Sequence, residues 1–187
     1  NDAHYVPINA ITSWPGNGNV SQHEAQRLAP FYDSNGNNIY EPLLGEYPLI
    51  PGDECALSIF NDNTNQAFNN ALKIEVHQFV YGYSQPSSVL NNTLFVTYKI
   101  YNRSTNNYED FIVGQFIDYD IGNYGDDAIC RDSLRNLMYA YNGDDNDEGV
   151  NGYGLNPPAM GCVFLNEKMY RCLTYDNDFS STGNPST

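Results

Sequence analysis

From residue 54 onward the apolar residues fall into short runs with a period of two, and this pattern fits strands rather than helices. "ALKIEVHQFVYGY" (71–83) sets Leu72, Ile74 and Val76 against Lys73, Glu75 and His77. His77 in this register reads as a surface residue of a strand. "ECALSIFN" (54–61) and "LFVTYKIYN" (94–102) have the same character. "DFIVGQFID" (110–118) is mostly apolar and reads as a buried central strand. "LRNLMYAY" (134–141) fits a strand or a short helix. Asn, Ser, Pro and Gly fill the connections, as turns require. One helix is expected, over "SQHEAQRLAP", with Ser21 as N-cap, Glu24 closing a capping box and Pro30 ending it. The pattern predicts an all-β chain: an antiparallel β-sandwich with long Asn/Asp/Gly-rich loops and one short N-terminal helix. Its expected organisation is an irregular segment over 1–20, one domain over 21–175 and a linker-like tail over 176–187.

A chain of 187 residues, 41% of them hydrophobic, can bury a sizeable core. Its formal charge is -15, from 23 acidic and 8 basic residues. Such a surface repels nucleic acid and anionic lipid and attracts cations. No apolar run approaches the roughly 20 residues that span a bilayer. Asn1 in place of Met is explained by signal-peptide cleavage, by proteolysis or by trimming upstream.

Four cysteines, Cys55, Cys130, Cys162 and Cys172, fit an oxidising compartment. "GCVFLNEKMYRC" reads as two short strands around Asn166-Glu167-Lys168, which sets Cys162 opposite Cys172. Opposed residues lie near disulfide range, so a Cys162–Cys172 bridge is expected and Cys55–Cys130 follows by elimination. None of the four forms a CxxC zinc pattern.

Three acidic loops carry the candidate chemistry. "FYDSNGNNIYEPLLGEYP" (31–48) places Asp33, Asn35 and Asn37 at alternate positions. These match positions 1, 3 and 5 of an EF-hand-like loop, where six to eight oxygens surround calcium. Asn38 falls at the position that needs a left-handed backbone, and the Ile39 carbonyl at position 7. Leu44 stands where the bidentate Glu belongs, so Glu41 or Glu46 must replace it. The other reading is an Asx-turn closed by its own side chains.

The second loop, "DYDIGNYGDD" (118–127), offers Asp118, Asp120, Asn123, Asp126 and Asp127 as ligands. Converging carboxylates repel one another unless a divalent cation sits among them. A catalytic carboxylate pair and a solvated acidic loop are the other readings. The third loop, "NGDDNDEG" (142–149), has less regular spacing and reads as a solvated turn in which Asp144 or Asp147 lends a ligand.

The chain has no GxSxG, no HExxH and no phosphate-cradling Gly loop. His4, His23 and His77 are scattered. The 16 Tyr suit strands and also suit sugar stacking. Asn19, Asn91 and Asn102 each begin an N-x-Ser/Thr sequon.

"PGNGNVSQHEAQRLAPFYDSNGNNIYEPLLGEYPLIPGDECALSIFND" resembles a module of large secreted surface proteins of the Bacteroidota, those with a type IX (por) secretion C-terminal sorting domain. The likeness continues through "LNNTLFVTYKIYNRST", "GQFIDYDIGNYGDDAICRD", "YAYNGDDNDE" and "GYGLNPPAMG", over roughly residues 14 to 165. It implies an extracellular or cell-surface protein and no particular reaction. The family's first loop usually carries Asp and Gly where this chain has Asn37 and Asn38, which lowers the ligand charge here. The second loop keeps the family pattern at Asp118, Asp120, Gly122, Asn123, Asp126, Asp127, Cys130 and Asp132. The sorting domain is not among these residues, so the resemblance implies an N-terminal or internal portion, or a processed product. "DSL" at 132–134 resembles the O-glycosylation signal of this phylum and marks Ser133.

The sequence therefore predicts a non-enzymatic, extracellular module of a bacterial surface protein or surface assembly, structural or adhesive, with Ca2+ as a structural ion. Its expected partners are neighbouring domains or copies of the same protein, and glycans. The rival readings are a carbohydrate-binding module using a Tyr-rich face, and a glycosidase using Asp118 or Asp120.

Overall fold

The computed structural model describes residues 4–22, 24–62, 71–86 and 88–174. Among these, antiparallel strands dominate and helix is scarce, so the all-β expectation holds. Contacts gather the chain into two compact units, Asn1–Glu109 and Asp110–Thr187, and the boundary falls inside the stretch 21–175 expected to be one domain. The expected tail over 176–187 lies outside the described residues.

The first unit carries a three-stranded meander of β1 (Glu54–Asn61), β2 (Ile74–Gly82) and β3 (Phe95–Asn102), with β2 central. All three follow the period-two runs read from the sequence. Phe79 pairs with Leu57 on one side and Thr97 on the other, and His77 with Ile59 and Lys99. Val76 and His77 are adjacent, so they point to opposite faces. Both are buried, so β2 is covered on both faces. This corrects the surface reading of His77, which is only 3% exposed. Its Nε2 lies 2.9 Å from Glu75 Oε1, and Arg103 donates to the same oxygen at 2.7 Å.

An irregular layer precedes the meander and begins with one short helix, α1 (Asn9–Thr12). The helix expected from Ser21 does not form; a single 3₁₀ turn spans Val20–Gln22. Residues 24–29 form no helix, because their backbone is claimed by a second segment. Gly18 N donates to Gln26 O, Leu28 N to Gly16 O and Ala29 N to Pro15 O, each at 3.0 Å. A Cβ on Gly18 would stand 2.0 Å from the Ala25 carbonyl, so only glycine permits this approach. Glu24 still reaches back, but its carboxylate accepts from Asn19 N and not from a helix start. Ala29, Phe31 and Tyr40 form the buried centre of the layer, with the Phe31 and Tyr40 rings 5.1 Å apart.

The second unit carries a sheet of β4 (Asp127–Asp132), β5 (Leu137–Asn142) and β8 (Ala159–Val163), ordered β4-β5-β8. Between β5 and β8 a small ribbon pairs β6 (Asn146–Asp147) with β7 (Gly154–Leu155). "LRNLMYAY" thus resolves as a strand from Leu137. Tyr119 and Ile121 pack on Ala140 with Ile117 and Met138 beside them.

Two strand expectations fail. Residues 110–118 form no strand, and Phe111, Ile112, Val113 and Phe116 are exposed. Apolar content suits a strand only where another strand pairs with it, and none of the described strands pairs with 110–118. The hairpin around Asn166 is also absent. β8 spends its hydrogen bonds on β5, which puts Cys162 opposite Met138, and 168–173 forms no strand. The Cys162–Cys172 pairing therefore loses its geometric basis. All four cysteines are free thiols in the structure, so neither expected bridge is present.

Phe79, 4% exposed on the central strand, tests the meander. Phe79→Ala is expected to destabilise the first unit by about 3–5 kcal/mol, read from the urea midpoint of its unfolding.

Candidate metal-binding loops

The first loop closes on two carboxylates. Asp33 Oδ1 accepts from Gly36 N at 2.8 Å and Asn37 N at 3.2 Å, and Oδ2 accepts from Asn38 N at 2.9 Å. Asn35 Oδ1 accepts from Asn37 N at 3.0 Å, and Asn37 Oδ1 from Ile39 N at 2.7 Å. The Asx-turns of the second reading are thus present. The feature demanded by the first reading is present too, since Asn38 is left-handed at φ 60. Burial disfavours the Asp33 carboxylate, but the N–H groups of Asn38, Gly36 and Asn37 and the charge of Arg27 outweigh it and hold its pKa below the ordinary 3.8. The amides of Asn35 and Asn37 both donate to Glu41 Oε2, at 3.0 and 2.7 Å.

Glu46 is fully buried. Its Oε1 accepts from Ser34 N at 2.9 Å and from Ser34 Oγ at 3.2 Å, and its Oε2 from Glu41 N at 2.8 Å. It joins the two ends of the loop, so both of its oxygens already serve the protein. Of the proposed ligands, Asp33, Asn35, Asn37, Ile39 and Glu41 share one loop, and Glu46 lies beneath as its clamp.

The second loop divides. Asp118 and Asp120 are exposed, while Tyr119 and Ile121 between and after them turn inward. The two acids share a side, as period two requires, and they stand outside the acidic cluster described next. The Asn123 side chain accepts from Gly125 N and caps the 3₁₀ turn Tyr124–Asp126. Asp127 Oδ2 accepts from Ile121 N at 2.8 Å.

The third loop holds both a clamp and an exposed set of acids. Asp147, 1% exposed, accepts from Asn123 N at 3.0 Å and from Tyr153 N at 2.7 Å. It joins the second loop to the third. Gly122 is left-handed at φ 63, and a Cβ there would stand 1.9 Å from Asp147 Oδ2. Asp126 of the second loop, with Asp144 and Glu148 of the third, can each offer an oxygen within 4.8 Å of the others. Sequence reasoning passed over Glu148. Its signal was alternation: Asn142, Asp144, Asn146 and Glu148 stand at every second position, as Asp33, Asn35 and Asn37 do.

Ser133 is exposed in the turn between β4 and β5, next to Asp132, whose carboxylate is held by the Arg135 side chain and the N–H groups of Leu134 and Arg135. Cys130 Sγ lies 3.9 Å from the Tyr141 hydroxyl, and Tyr139 stacks on Tyr141 with centroids 6.0 Å apart.

No helix among the described residues is long and apolar enough to cross a membrane. No family model, curated protein or solved structure matches the chain.

Glu46→Ala leaves three donors of the first loop without their acceptor. It is expected to cost about 2–3 kcal/mol, measured as a fall in urea midpoint, with far-UV circular dichroism retained.

Proposed function

We propose that this chain is an extracellular, calcium-stabilised structural or adhesive module of a bacterial surface protein, without catalytic activity of its own. The observation that carries the reading is the approach of Asp126, Asp144 and Glu148, which come from two separate loops. Like charges drawn together by the fold favour a bound divalent cation. The first loop supports it with EF-hand-like spacing and a left-handed Asn38. The net charge of -15 adds to the cation's attraction. In this reading calcium holds loops that the sheets alone leave long, and a β-sandwich arrangement belongs to the same proposal. Neighbouring domains or further copies of the protein are its partners, and its setting is the cell surface implied by the sequence resemblance.

One observation favours a second reading. Tyr139 and Tyr141 stack on one face of the second sheet, and Tyr141 is 39% exposed. Exposed aromatic faces of this kind suit sugar rings. A carbohydrate-binding module requires retardation on a polysaccharide affinity gel, lost in Tyr141→Ala.

The main reading is tested by thermal melts of the purified chain in calcium and in EGTA. A rise of several degrees in calcium is expected, since ligands of the native state stabilise it by mass action. Superimposable melts, with no metal found by elemental analysis, would sink it.

A further inference from the structure

Three buried side-chain oxygens among the described residues have no hydrogen-bond partner: Asp126 Oδ1, Asp127 Oδ1 and Asn142 Oδ1. All three belong to one corner of the second sheet. Asp127 begins β4 and Asn142 ends β5, and the two are directly opposed in the register. Opposed residues share a face with their β-carbons about 5 Å apart. Gly143 N donates to Asp126 O at 2.8 Å, which fixes the third residue at the same point. An orphaned buried acceptor is costly, and most such atoms in folded proteins find a donor. Here three unpaired acceptors lie on neighbouring residues of one corner, and two are carboxylate oxygens. The fold has built a place that calls for positive charge.

The acidic cluster adjoins this place. Asn142 is 6% exposed, and its Nδ2 donates to the Asp144 carbonyl at 3.2 Å. Its carboxamide therefore stands at the root of the loop that bears Asp144 and Glu148, with the oxygen left over. Asn146 holds that loop, giving its N–H to Asp144 Oδ1 at 2.8 Å and its Nδ2 to Glu148 Oε1 at 2.9 Å. The second oxygen of each carboxylate remains for another partner. The protein's own cations go elsewhere, since the ion pairs recorded among the described residues engage Asp33, Glu75 and Asp132.

Resting on the calcium reading above, we infer that Asp126, Asn142, Asp144 and Glu148 form one calcium site at the β4–β5 corner. All the donors are oxygens, three of them from carboxylates, with no nitrogen or sulfur among them. That set selects a hard cation and disfavours zinc. A mixed shell of carboxylates and an amide oxygen suits Ca2+, whereas Mg2+ demands a stricter octahedron and sheds water reluctantly. The ion joins the start of β4 to the loop after β5, as the buried Asp147 joins the same two loops by hydrogen bonds.

The experiment is calcium titration calorimetry on the full chain stripped of metal, with melts in EGTA alongside. Glu148 and Asp144 are exposed, so Glu148→Gln and Asp144→Asn remove charge without opening the core. The expected result is at least a tenfold loss of calcium affinity in each, with melting in EGTA as in wild type. Asp33→Asn leaves this binding event unchanged. Magnesium at equal concentration does not reproduce the heat. Wild-type affinity in both corner variants overturns the site; if calcium then depends on Asp33 instead, the broader calcium reading survives without this corner. Absence of any calcium binding by the wild-type chain overturns both.

Discussion

Irregular backbone is held in this protein by buried carboxylates that accept its N–H groups. A loop that leaves the sheet gives up its ladder partners, and each buried N–H still needs an acceptor. Glu46 meets that need for the first loop, at Ser34 and Glu41. Asp147 meets it for the second and third, at Asn123 and Tyr153. Charge-assisted bonds of this kind are about twice as strong as neutral ones. A carboxylate with two accepting oxygens also reaches donors from two stretches of chain, which an amide or hydroxyl does less well. The rest of the loop architecture follows: Gly122 has no side chain because Asp147 needs its space, and Asp33 bonds three successive N–H groups from one position.

The strands were legible in proportion to how local their cause is. β1, β2 and β3 follow from alternation in the sequence, because each pairs with the next strand along the chain. Residues 110–118 have the right composition, yet a strand needs an edge that composition does not name. The helix after Ser21 failed for a related reason. Its capping residues are present, but Gly16 and Gly18 let another segment approach closely enough to take the backbone bonds. The hairpin through Asn166 looked sound until β5 claimed β8, a pairing that skips the whole β6–β7 ribbon. His77 looked external because alternation identifies opposite faces without saying that both are covered.

The acidic loops were legible as ligand-rich, but the division of labour within them was not. Glu41 and Glu46 look alike in sequence, and only burial marks Glu46 as the clamp that closes the loop. In the third loop Asp147 is the clamp and Glu148 the exposed acid, one residue apart. The link between Asp126 and Asp144 runs through strand register, since β4 begins where β5 ends. No spacing rule within either loop contains that information. Asn142 was the least visible of all, since a lone Asn at a strand end is ordinary until its oxygen is found without a donor.

The meander of β1, β2 and β3 has a consequence for the order in which the chain acquires structure. Its pairings join strands consecutive in sequence, so no strand has to find a partner beyond the next one. The second sheet lacks that advantage, because β8 must find β5 after the intervening ribbon has been made. During synthesis the N-terminal unit is also complete first. The first sheet can therefore stand as a finished scaffold while the acid-rich corner of the second is still assembling.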